Sequence, residues 1–113
     1  MPFPNDENGD VLRRMQAHGF PFSKPHDVEF FAIFPSKETA YAVARLYVAD
    51  DKAGDTLVTI RTQRAERGGM ELKLVKSMLV THENVTRFES RLAERVAEHD
   101  GHLDGWGVMQ DAE

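Results

Sequence analysis

At 113 residues, 41% of them hydrophobic and 29% charged, the chain has room for one domain around one core, and its composition is that of an ordinary globular protein. Zero cysteines exclude a disulfide framework, a thiol nucleophile and a thiolate metal site. The longest apolar run, Phe30 to Phe34, is five residues, far short of the roughly 18 that a membrane span needs. The N-terminal residues have neither the basic nor the apolar region of a signal peptide, so a soluble cytoplasmic protein is expected. The net charge of −5 is unevenly spread: from Leu57 to Val80 five basic residues (Arg61, Arg64, Arg67, Lys73, Lys76) meet two acidic ones (Glu66, Glu71). The rest of the chain is correspondingly more acidic, and such asymmetry steers association with charged partners.

In chain order, residues 1–7 read as a flexible leader with two prolines, and 8–113 as one domain. Asn8 or Asp10 is expected to cap a first helix with Val11, Leu12 and Met15 on one face, and Gly19 to sit just past its end. Two prolines, Pro21 and Pro25, make the next segment a loop. His26 to Phe34 is the strongest strand: Val28, Phe30, Ala32 and Phe34 alternate with Glu29, Phe31 and Ile33, so both faces are largely apolar and a central position is expected. Ser36 caps a helix running to about Ala49. Thr56–Gln63 and Met70–Val80 are strand-like, joined through Gly68-Gly69 as a hairpin. Thr81 caps a helix from about Glu83 to His99, which Asp100-Gly101 stops, and a short strand, His102 to Gln110, closes the domain.

Without the first helix the order is β-α-β-β-α-β, the split arrangement of a ferredoxin-like α+β sandwich with a four-stranded antiparallel sheet. Two right-handed crossovers joined by the hairpin give the spatial strand order 4-1-3-2.

The residues contain no recognisable catalytic constellation. No serine stands in a nucleophile motif, no two histidines have helical ligand spacing, and Gly68-Gly69 lacks the Lys and Ser/Thr of a phosphate loop. His99 and His102 with Asp100 or Asp104 are at most a poor metal set, and no cofactor is expected. Glu94 and Glu98 flank Arg91 and Arg95, the pattern of a salt-bridged wet helix face. The same topology serves the RNA-recognition fold, which stacks bases on strand aromatics. Here one ring, Phe31, with Arg61, Arg64, Arg67 and Lys73 nearby, forms the candidate partner-binding surface, for RNA or for protein. Phe31, Ile33 and Val75 together also make an apolar patch suited to pairing with a second copy as a homodimer.

The tetrapeptide Asp104-Gly105-Trp106-Gly107, on the strand that closes this element order, resembles the regulator of ribonuclease E activity B family. The resemblance spans nearly the whole chain. It implies a bacterial, cytoplasmic, non-enzymatic protein that binds the scaffold of ribonuclease E and slows RNA decay, with no catalytic residues to carry over. The best-known inhibitor carries an acidic extension after the motif, whereas six residues follow Gly107 here, so a domain-only relative is expected. For the motif itself the structural expectation comes first: glycines flanking Trp106 allow a close backbone approach, the indole covers the sheet or a helix end, and Asp104 accepts a backbone N–H.

Overall fold

The structure is a computed structural model that describes residues 4–52, 59–66 and 68–108. Its elements run α1 (Glu7–Ala17), β1 (His26–Phe34), α2 (Lys37–Lys52), β2 (Thr59–Arg64), β3 (Met70–Met78), α3 (His82–Ala97) and β4 (His102–Val108). All strand pairs are antiparallel, and the sheet order β2-β3-β1-β4 is the expected 4-1-3-2. The fold is the split α+β sandwich with one extra N-terminal helix. The leading part of the expected second strand, residues 56–58, and Arg67 lie outside the described residues.

Alternation along β1 places Val28, Phe30, Ala32 and Phe34 under the helices, all essentially without exposure. Opposite them, Leu72 and Leu74 of β3 complete the sheet's inner face. Phe30 stacks on Phe88 of α3 with ring centroids 4.3 Å apart, and Val43 and Tyr47 of α2 close the other side of the core. α2 lies over the β2 side of the sheet, and α3 packs beside α1 and over β4. Burying one such large apolar side chain stabilises the fold by about 1.5–3 kcal/mol, so these residues dominate the favourable side of folding.

Local signals fix the helix ends. Ser36 Oγ accepts the Thr39 backbone N–H at 3.3 Å, and Thr81 Oγ1 accepts that of Asn84 at 3.0 Å, the two expected caps. The α1 cap differs from expectation: Asp6, placed in the leader from sequence, accepts the Gly9 N–H at 2.7 Å, while both expected candidates, Asn8 and Asp10, lie inside the helix. Gly19, at φ +75°, ends α1 as expected, with Phe20 N–H reaching the Met15 carbonyl five residues back. α2 continues three residues beyond the expected Ala49. α3 ends in the same six-to-one pattern, Gly101 N–H to Val96 carbonyl, but there the left-handed residue is Asp100 at φ +62°. Gly101 is demanded for a different reason: a Cβ on it would meet the Phe34 ring at 2.7 Å and the Ile33 carbonyl at 2.8 Å.

Candidate functional site

The outer face of the sheet carries most of the residues singled out from sequence. Register sets Arg61 opposite Lys73, and Lys73 opposite Phe31, so the three form one row across β2, β3 and β1. The row continues to β4, where pairing shifts between Phe30 and Ala32, so that the single residue Phe31 faces both Asp104 and Gly105. Phe31 is half-buried, Arg61 and Asp104 are exposed, and Lys73 Nζ stands 3.9 Å from Glu29 Oε2. Arg64 does not join the row. It pairs with Met70 at the hairpin end, and its alternation is that of Thr62, toward the helix side. Of the expected apolar patch, Val75 is buried on this face rather than displayed, and Ile33 stands between Glu71 and His102.

The bulge explains the tetrapeptide. Leu103 and Trp106 are three residues apart and would face opposite ways on a regular strand, yet both pair with inward-facing residues, Ala32 and Phe30. Two residues opposite Phe31 restore the phase, and Gly105 takes φ +100° to allow it. The expected close backbone approach at the flanking glycines is therefore corrected: among the described residues nothing lies within 4 Å of a Cβ built on Gly105 or Gly107. Trp106 does cover the sheet, and its Nε1–H donates to Asn8 Oδ1 at 2.9 Å. Asn8 in turn donates to Thr86 Oγ1 at 3.2 Å and Glu89 Oε1 at 2.9 Å, which ties β4, α1 and α3 into one cluster.

A second feature, on the helix side, was not found from sequence. A cleft of about 440 Å³ opens between α2, α3 and the end of β3. Met78, Leu79, Tyr47 and Phe88 supply its apolar surface, and Lys76, Arg87, Arg91 and Asp50 its polar lining. The Tyr47 hydroxyl is buried without a hydrogen-bond partner among the described residues. Its ring lies under the Arg95 guanidinium, 4.6 Å from ring centre to Cζ. Burial pushes the phenol above its ordinary range, against the opposing pull of Arg95. The expected pairing of Arg91 and Arg95 with Glu94 and Glu98 gives way to a bond across the helices: Asp50 Oδ2 is 2.8 Å from Arg95 Nη1 and 3.8 Å from Arg91 Nη2. The clue in the sequence was weak, the pair Asp50-Asp51 near the end of α2 with no signal for a partner on α3.

Among the described residues no group of three or more His, Asp or Glu side chains is placed to hold a metal ion, and no helix is long and apolar enough to cross a membrane. The family model for regulator of ribonuclease activity B matches residues 5–108. No curated protein matches the chain.

Proposed function

We propose that this chain, which belongs to the regulator of ribonuclease activity B family, is a non-enzymatic protein that regulates a ribonuclease by direct surface contact. The family match over residues 5–108 carries the reading, because it takes in every helix and strand among the described residues. Regulation by contact requires no catalytic group of the chain's own. It requires a surface that binds the enzyme or its scaffold, and the row Arg61, Lys73 and Phe31 is one such surface on the outer sheet face. The setting is the bacterial cytoplasm, with ribonuclease E or another ribonuclease as the partner. The test is capture from the source organism's lysate on the immobilised chain, with and without prior digestion of RNA. Retention of a ribonuclease or its scaffold after digestion supports this reading, and loss of every retained protein on digestion refutes it.

A second reading is supported by the same row, which puts two cations and one ring in line on a sheet of the topology used to bind RNA. Phosphate contacts weaken steeply with salt, so binding of a single-stranded RNA that falls linearly in log–log terms with salt, and is lost in the doubly substituted Arg61→Glu, Lys73→Glu chain, would favour it. Glu29, close to Lys73, weighs against it by offsetting one of the two charges. Pairing of two copies through this face is a further proposal, and sedimentation as a strict monomer would remove it.

A further inference from the structure

The cleft on the helix side combines features that the regulator reading has not used. Three cationic side chains, Lys76, Arg87 and Arg91, stand around an apolar opening in a chain whose net charge is −5. Asp50 is the one carboxylate in its lining among the described residues; it is bonded to Arg95 and stands 3.8 Å from Arg91, a longer contact that leaves the Arg91 side chain mostly exposed. Among the described residues Arg87 is held by Glu83 one turn away, an exposed pair of a kind that exchanges partners at little cost. Leu79 is 43% exposed at the mouth, and the buried Tyr47 hydroxyl below it has no partner among the described residues. A volume of about 440 Å³ falls within the range of ligand pockets and takes one large side chain with room to spare.

We propose that this cleft docks a short acidic segment of a protein partner. One aromatic or large aliphatic side chain of the segment enters against Met78, Phe88 and Leu79, and flanking carboxylates meet Arg87 and Arg91. This inference rests on the protein-binding reading above and assigns that reading a second surface, on the opposite side of the sheet from the Arg61–Lys73–Phe31 row. Guanidinium groups bind carboxylates through paired N–H donors, which gives orientation as well as attraction. Charge complementarity on a negatively charged body selects a locally acidic segment rather than a long polyanion, which the remaining surface repels.

The probe is a synthetic peptide with one phenylalanine flanked on each side by two acidic residues, titrated into the isotopically labelled full chain while amide chemical shifts are recorded. Saturable shifts centred on Leu79, Asn84, Arg87 and Arg91 are expected. Affinity should drop at least tenfold when the peptide's phenylalanine becomes alanine, and by a similar factor in the Arg87→Glu, Arg91→Glu chain. Both arginines are exposed, so an unchanged spectrum elsewhere will certify the fold of that variant. Shifts that do not saturate, shifts centred on Arg61 and Lys73, or tighter binding of a single-stranded RNA to the same cleft would each overturn the proposal. Its failure is separable from failure of the regulator reading. Capture of a ribonuclease without peptide binding sinks the cleft alone, whereas peptide binding without any captured ribonuclease sinks the regulator assignment alone.

Discussion

The indole N–H of Trp106 donates to the side-chain carbonyl of Asn8 at 2.9 Å, across 98 residues of chain. This bond joins the last strand to the first helix, and Asn8 extends it to Thr86 and Glu89 on α3. Trp106→Ala removes both the bond and the inner-face packing of a half-buried indole, and is expected to cost about 2–4 kcal/mol. Trp106→Phe keeps most of the packing and leaves Asn8 without this donor, at about 1 kcal/mol. Thermal unfolding of the two variants checks the order. Loss of ribonuclease binding by a Trp106→Ala chain of unaltered Tm would show instead that the indole contacts the partner.

The two glycines of the tetrapeptide should behave differently. Gly105 occupies φ +100° at the bulge, so Gly105→Ala is strained by about 1–3 kcal/mol even though a Cβ there has room. Gly107 has ordinary backbone angles and open space beside it among the described residues, so Gly107→Ala should lie within about 0.5 kcal/mol of the parent. Urea unfolding of the pair measures the difference, and equal effects would argue against the bulge.

Asp100 holds φ +62° at the end of α3, a conformation that costs a residue with a Cβ and costs glycine nothing. Asp100→Gly is therefore expected to stabilise the domain by about 0.5–1 kcal/mol, seen as a higher urea midpoint with an unchanged slope. The neighbouring Gly101→Ala should have the opposite sign, because its Cβ would strike the Phe34 ring and the Ile33 carbonyl.

Acid should act through Asp6. The Gly9 backbone N–H, followed by the His82 side chain at 2.9 Å, holds its carboxyl below the ordinary value of 3.8. A carboxyl depressed by folding binds its proton more weakly in the folded chain than in the unfolded one. Its contribution is thus complete above the ordinary value and is lost as the pH falls through the lower folded one. Asp6→Asn should lower the urea midpoint at neutral pH and flatten its decline as the pH falls below the ordinary carboxyl value. A decline as steep as the parent's would contradict this role.

What could be read in the sequence was what is decided locally. Ser36, Thr81 and Gly19 are caps because of their own chemistry and their immediate neighbours, and Phe30 to Phe34 is a central strand because both its faces are apolar. Where distant residues decide, local pattern misled. Local pattern offers Asn8 or Asp10 as the cap of α1, yet the Asn8 side chain is committed to Thr86, Glu89 and Trp106, and Asp6 does the capping. Arg91 and Arg95 have glutamates at helical spacing, but Asp50 on the facing helix pairs with them instead. The same limit applies to the surfaces. Alternation within single strands was enough to suggest Phe31 and Lys73 as neighbours, while the bulge at Asp104-Gly105 and the cleft beside Tyr47 exist only once strands and helices are set against one another.

The most direct test of the central claim is the rate of RNA cleavage by the ribonuclease that the chain captures, followed at fixed substrate as the purified chain is added. Regulation by protein contact predicts a rate that changes in proportion to added chain and levels off near one chain per binding site, with the same end point when the RNA concentration is raised well above that of the chain. A rate that does not respond, or an effect abolished by excess RNA because the chain merely coats the substrate, would contradict it.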